Sequence, residues 1–374
     1  IQYWRGRLAE LRAQPEVAVR SYLDLLTTDT LHPLAMAARR RLGRPTLEPA
    51  AELEANRLAA SNRTSDLLRA WVLLAVDDPQ APQIREDLAQ RWADASRTRP
   101  YVEMRARPPA EWNLWRQPVR QPEELLLTLG IAETNSAALR RAFPLDDTDM
   151  ALAGSRLLAA SGLHHRSLYF AEVVSRRIPT GLPDQFLPTA FRQLIYPRPY
   201  AFQIAQQSSR FGVDPNLLTA IIREESRFNP LAVSPAAARG LTQFVWPTAR
   251  RLATKLEWEE IEAADLHRPE VAITLGAAYL AELSRRFSGR DVQVVAAYNA
   301  GEELARLWQT YCFSLEPEEY FSKVGFRQTR GYLEKVLTGR AYYAEIYGEE
   351  GARSRPLLST ESTSGGSDSK LLSK

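Results

Sequence analysis

Glu225 is a carboxylate that the local pattern aims at a protein interior. It lies near the end of the segment Asp214-Pro215-Asn216-Leu217-Leu218-Thr219-Ala220-Ile221-Ile222-Arg223-Glu224-Glu225-Ser226, which reads as one helix. Asp214 suits the N-cap and Pro215 the first helical position. Asn229-Pro230 is expected to end the helix, since the residue before a proline is pushed out of the helical region. At about 100° per residue, Leu217, Leu218, Ile221 and Ile222 form one apolar arc with Glu225 near its middle, Glu224 about 90° away and Arg223 nearly opposite. Burying a carboxylate is unfavourable unless it is neutral, paired or used. Desolvation raises a carboxyl pKa, and a carboxyl that stays protonated near neutrality can serve as a general acid. The residues alone leave a second reading open, a structural glutamate hydrogen-bonded to a backbone turn.

The next residues bear on that choice. The chain continues Arg227-Phe228-Asn229-Pro230-Leu231-Ala232-Val233-Ser234-Pro235, then Ala238-Arg239-Gly240-Leu241-Thr242-Gln243. Ala297-Tyr298-Asn299-Ala300-Gly301 and Gln328-Thr329-Arg330-Gly331-Tyr332 follow. Any one of these motifs is weak, but together and in this order they resemble the catalytic domain of the soluble lytic transglycosylases. The resemblance covers about residues 198 to 347. It implies a lysozyme-like fold and cleavage of the β-1,4 bond between N-acetylmuramic acid and N-acetylglucosamine in bacterial peptidoglycan.

It also implies a mechanism with one carboxylate. Glu225 would protonate the leaving oxygen, then deprotonate the sugar's own C6 hydroxyl to close a 1,6-anhydro ring, with no metal or cofactor. By the same resemblance Ser226 helps to position Glu225, and Ser234, Gln243, Tyr298, Asn299 and Gln328 belong to the saccharide groove. Each has a plainer alternative: a turn residue for Ser234, a surface residue for Gln243, core for Tyr298 and a helix C-cap for Asn299.

Several positions depart from the family pattern. Thr242 replaces a usual methionine, and the Met-Pro step is shifted to Val245-Trp246-Pro247. Glu302-Glu303 replaces Pro-Gly, Gly325 replaces a proline, and Gln328 replaces an acid. Gln328 can still hydrogen-bond but carries no charge. A goose-lysozyme-type hydrolase on the same fold would need a second group to hold water. Asp214, at the start of the same helix, lies about 16 Å away along the axis. That is beyond the roughly 6.5–9.5 Å of an inverting pair. Glu224 points away from the arc's centre. The third reading is a non-catalytic helical scaffold that binds glycan.

Composition sets the frame for these residues. At 374 residues the chain has room for two domains, and 45% hydrophobic content supports a sizeable core. A net charge of +3 gives no reason to expect a nucleic-acid partner, which needs a concentrated basic face. The single cysteine, Cys312, rules out an internal disulfide and a cysteine-based zinc site, and His32, His164, His165 and His267 are not at ligand spacing. No apolar run approaches the roughly 18 residues of a membrane span. No signal peptide is present in a chain that begins at Ile1, so the periplasm or cell envelope is expected only through the family resemblance.

The expected fold class is mainly α. Residues 1–197 read as short helices near 3–12, 15–26, 33–43, 49–60, 64–77, 82–95, 122–131, 135–142, 147–161 and 166–176, which suggests an α-solenoid or tetratricopeptide-like superhelix serving as scaffold. Residues 97–118 read as an irregular connection. Trp71, Trp92, Trp112 and Trp115 read as core. Tyr196-Pro197-Arg198-Pro199-Tyr200 marks a boundary, and residues 198–351 form the expected catalytic domain. Within it, helices are expected near 200–210, 214–226, 246–255, 269–289, 291–299 and 329–347, with a loop over 229–240. Gly212 is the expected left-handed cap. Asp291 is expected to cap a helix, and Val271, Leu275, Ala278, Tyr279, Leu283 and Phe287 are expected to form one stripe under the Glu225 helix. Residues 352–374 read as disordered.

Overall fold

The computed structural model describes residues 1–27, 31–74, 78–103, 136–258, 260–314 and 316–348. The helix expected at 122–131, Trp112, Trp115, the tail 352–374 and most of the 97–118 connection lie outside the described residues.

Among the described residues the fold is helical and has no strand. Its first half holds α1 (Gln2–Leu11), α2 (Pro15–Leu26), α3 (Pro33–Leu42), α4 (Glu48–Ala59), α5 (Thr64–Leu73), α6 (Ala81–Asp94) and α7 (Arg99–Glu103). After the undescribed stretch come α8 (Ser136–Ala142), α9 (Thr148–Ala160), α10 (His164–Ser175) and α11 (Thr189–Ile195). The second half holds α12 (Ala201–Phe211), α13 (Pro215–Ser226), α14 (Trp246–Lys255), α15 (Pro269–Arg286), α16 (Asp291–Ala300), α17 (Glu302–Thr310), α18 (Pro317–Lys323) and α19 (Arg327–Tyr347). The spacing did not signal α11, α17 or α18, which are short and lean on neighbours more than on their own periodicity.

In the first half, helices pair with their sequence neighbours, α1 on α2, α4 on α5 and α9 on α10. They share one apolar cluster running from Tyr3 to Ile195. Tyr22 is fully buried against Gly6, where any Cβ would collide with the ring. Trp92 is buried and Trp71 partly so, both edge-on to Phe186.

A second cluster lies between Ile204 and Tyr343 and surrounds α13, α15, α16 and α19. The expected single stripe on α15 does not occur. This helix is buried on several sides, so Val271 and Leu275 face a third cluster with Phe244 and Leu252, while Leu283 and Phe287 face the second. The main partner of α13 is α19 rather than α15. Gly339 of α19 lets the two helices close up, its Cβ position lying 3.4 Å from the Ala220 Cβ.

The two halves are tied together along α19 and α18. Leu31 packs with Tyr342 and Ile346. Arg192 pairs with Glu345 at 2.6 Å, Arg40 with Glu318 at 2.7 Å and Arg41 with Glu316 at 2.8 Å. The Tyr342 hydroxyl donates to Asp184 at 2.6 Å, and that of Tyr347 to the Tyr196 carbonyl at 2.8 Å. No helix among the described residues is long and apolar enough to cross a membrane.

Candidate functional site

The Glu225 helix starts as its sequence dictates. Asp214 accepts from the Asn216 amide at 2.8 Å, and Pro215 occupies the first turn. Its last residue is the one read from sequence, but the stop comes before the proline. It stops at Ser226 through two consecutive left-handed residues, Arg227 (φ 54°) and Phe228 (φ 62°), ahead of Asn229-Pro230. Neither has glycine's freedom, so this backbone is held by its surroundings. Phe228 is 1% exposed, and burying its ring is one such hold. The sharp turn places Glu225 in the last helical turn, beside the loop that follows.

Glu225 lies mostly out of water with Oε1 accepting from the Tyr332 hydroxyl at 2.6 Å. Its pKa is pushed up to about 7, first by burial and also by the nearby charge of Glu224, while the Tyr332 hydrogen bond opposes the rise. The phenols of Tyr332 and Tyr298 are raised by their own burial and then by the Glu225 charge, so the three groups share one electrostatic neighbourhood. Tyr298 donates to the Thr242 carbonyl at 3.1 Å and packs against Phe244 and Tyr279. Thr242 in turn donates to the Ala272 carbonyl at 3.1 Å and fits over Gly276, where a Cβ would stand 2.6 Å from its methyl. The departure at Thr242 is thus accommodated by a hydroxyl bond and a glycine beneath it.

The loop after α13 is folded by its own side chains. Ser234 Oγ accepts from the Ala238 amide at 3.1 Å. Gln243, left-handed at φ 51°, donates through Nε2 to the carbonyls of Gly240 at 2.9 Å and Ala232 at 3.2 Å. Short bridges join Val233 to Arg239 and Arg239 to Phe244. Gly240 has φ 74°, and a Cβ there would lie 1.8 Å from the Leu266 carbonyl oxygen. Only glycine fits. Asn299, at the end of α16, accepts from the Thr329 hydroxyl at 2.9 Å, joining α16 to the first turn of α19.

Of the residues singled out from sequence, Tyr298 lies in the electrostatic neighbourhood of Glu225. Tyr298 is tied to the loop that carries Gln243 and Ser234, and Asn299 is the next residue along α16. Ser226 turns back to its own helix, its hydroxyl donating to the Ile222 carbonyl at 3.1 Å while buried. Gln328 is exposed in the first turn of α19. Asp291 caps nothing with its side chain; α16 is preceded by Arg290, and Asp291 pairs with Arg340, which also holds Asp214. Glu224 is occupied by Arg223 at 2.5 Å, with Lys335 at 3.9 Å.

Two residues of the quoted motifs, Tyr332 and Thr329, carry no role in the sequence reading. Their signal was available in the helical spacing of Thr329, Tyr332, Val336 and Gly339, which defines one face of α19. Among the described residues no cluster of His, Cys, Asp or Glu is arranged to hold a metal ion. A carboxyl that keeps its proton to about pH 7, beside polar groups and aromatic rings, can donate that proton to an oxygen of a bound sugar and later recover one.

Comparison with known proteins gives the setting for this geometry. Residues 202–321 match the family described as Transglycosylase SLT domain. The soluble lytic murein transglycosylase of Salmonella typhimurium is 32% identical over 135 residues, 36% of this chain and 21% of that one. That of Escherichia coli strain K12 is 29% identical over 157 residues, 41% of this chain and 24% of that one. The chain thus spans about a quarter of the length of these curated relatives. In fold it is similar to an inactive mutant of the lytic transglycosylase Slt from Pseudomonas aeruginosa, with TM-score 0.56 and 22% identity over 92% of this chain and 51% of that one. Residues 202–321, which follow the helical first half, thus carry the likeness to a transglycosylase SLT domain, and over that part the chain is similar to the soluble lytic murein transglycosylases.

Proposed function

We propose that the chain is a peptidoglycan lytic transglycosylase, with Glu225 as general acid and then general base. The observation that carries the reading is the setting of Glu225: partly buried, its pKa raised to about 7, and hydrogen-bonded to Tyr332 beside a polar loop. The nearby carboxylates are engaged elsewhere. Glu224 pairs with Arg223, and Asp214 caps the far end of α13 and binds Arg340. A nucleophile drawn from the substrate itself, held in place, then replaces a water-activating carboxylate. The bond broken is the β-1,4 linkage from N-acetylmuramic acid to N-acetylglucosamine. Glu225 protonates the departing oxygen, then takes the C6 hydroxyl proton as that oxygen closes the 1,6-anhydro ring.

Gln243, Ser234, Tyr298 and Asn299 frame the groove in this reading. Gln328 lines its outer edge, and Ser226 supports the acid indirectly by tightening the last turn of α13. Residues 198–351 act as the catalytic unit and 1–197 as the scaffold that seats it, and the place of action is the periplasm or cell envelope. Digestion of purified sacculi followed by mass spectrometry tests this. The expected products are 1,6-anhydromuropeptides, lighter by one water, about 18 Da, than hydrolysis products. Reducing-end products that take up heavy oxygen from labelled water would overturn it in favour of a hydrolase.

A further inference from the structure

A carboxylate from the first half of the chain reaches the end of the Glu225 helix. Glu172 lies on α10 with its side chain 17% exposed. Its Oε1 accepts from Arg223 Nη2 at 3.2 Å, and its Oε2 from Arg227 Nη2 at 2.7 Å. These two arginines stand two residues before and two residues after Glu225. Arg223 is further fixed by Glu224, by the Ile195 carbonyl at 3.3 Å and by the Tyr196 ring at 4.9 Å. Arg227 is the first of the two left-handed residues that end the helix. Phe228 holds that turn from inside, and Glu172 holds it from outside. Such backbone persists only where its neighbours fix it.

We infer that Glu172 is a positioning residue for Glu225: by gripping both flanking arginines it makes the seating of the helical region set where the acid stands. This rests on the proposed reading of Glu225 as the acid. The charged and titratable groups facing that end of α13 are Arg223, Glu224 and Arg227 on the helix itself, Tyr332, Lys335 and Tyr343 on α19, Tyr298 on α16, and Tyr196 ahead of α12. From α10 come Glu172, Arg176 at 3.7 Å from it, and His165 beside Arg227. Within this set Glu172 offsets the two arginines. Its loss leaves positive charge uncompensated and favours ionised Glu225; loss of Arg227 does the reverse.

The test uses the full chain labelled with carboxyl-13C glutamate, the Glu225 resonance being identified by its disappearance in Glu225→Gln. Glu172→Gln is expected to shift the Glu225 titration to lower pH and Arg227→Gln to higher pH. Both should lower kcat on soluble glycan roughly ten- to a hundredfold, the scale of a small misplacement of a reacting group, with KM unchanged. Arg40→Gln, which breaks a different bridge between the halves, should leave the titration and kcat as they were. Should Glu172→Gln fail to fold, Arg227→Gln decides, its side chain being 42% exposed. An unmoved Glu225 titration, or an equal shift in Arg40→Gln, overturns the inference. A wild-type chain that cleaves no glycan would sink the functional reading and with it the role of Glu172, whereas an active chain with an unmoved titration sinks the role of Glu172 alone.

Discussion

Glu225 holds a proton that an exposed glutamate would lose near pH 4.5. Between that value and about 7 the folded chain binds more protons than the unfolded one, so stability falls as pH rises through this window. The deficit is complete above pH 7 and amounts to about 3 kcal/mol, since one pKa unit is about 1.4 kcal/mol. Glu225→Gln should therefore abolish cleavage while raising the melting temperature at pH 8 and leaving it nearly unchanged at pH 4. Thermal scans at both pH values check this; a mutant less stable at pH 8 would contradict it. The Tyr332 hydroxyl favours the ionised form, so Tyr332→Phe should move the alkaline limb of the pH–rate profile above its wild-type position near 7. Losing a hydrogen bond to a charged group is worth about 1.5–3 kcal/mol, so kcat/KM should drop about ten- to a hundredfold. An unshifted limb would remove Tyr332 from the acid's immediate surroundings.

At the scale of elements, the site depends on two abrupt changes of direction. One is the left-handed end of α13, and the other is the loop that Gly240 presses against the Leu266 carbonyl. Gly240→Ala meets both an unfavourable left-handed backbone angle and a clash with backbone that has no rotamer to escape into. Destabilisation of about 3 kcal/mol or more is expected, with loss of cleavage even where the fold survives. Denaturant unfolding with the sacculus assay measures both. A fully active Gly240→Ala would mean that the loop does not shape the groove. Helix α19 has a different duty. One face closes on Ala220 of α13 and carries Tyr332, while its far end binds the first half through Tyr342, Glu345 and Ile346.

For the whole molecule, that dual duty has a consequence. A fragment of residues 198–351 keeps the buried residues of the second and third apolar clusters but loses Tyr196 from the edge of the second and uncovers Tyr342, Ile346 and the partners of Arg192 and Glu172. It should fold, melt lower than the full chain, and retain some cleavage of short soluble glycans while losing more on intact sacculi. Circular dichroism and both assays decide this, and an unfolded fragment would count against a self-sufficient catalytic unit.

What the sequence alone determined is local or periodic. The N-cap of α13, the Gly212 cap, the helical ranges of α1 to α6 and of α14, and the inward aim of Glu225 all follow from short-range sterics and a period of 3.6 residues. Motif order also made the likeness to a transglycosylase SLT domain legible. Tertiary structure decided what depends on neighbours distant in sequence. Arg227 and Phe228 end α13 in a conformation no local preference favours, because burial and ion pairing repay it. Asp291 leaves its cap for Arg340, and α15 is buried on more sides than one stripe can describe. The pairing of Tyr332 with Glu225 joins residues 107 positions apart, and that of Glu172 with Arg227 spans 55. No periodicity carries such information, since each contact exists only once the helices have packed.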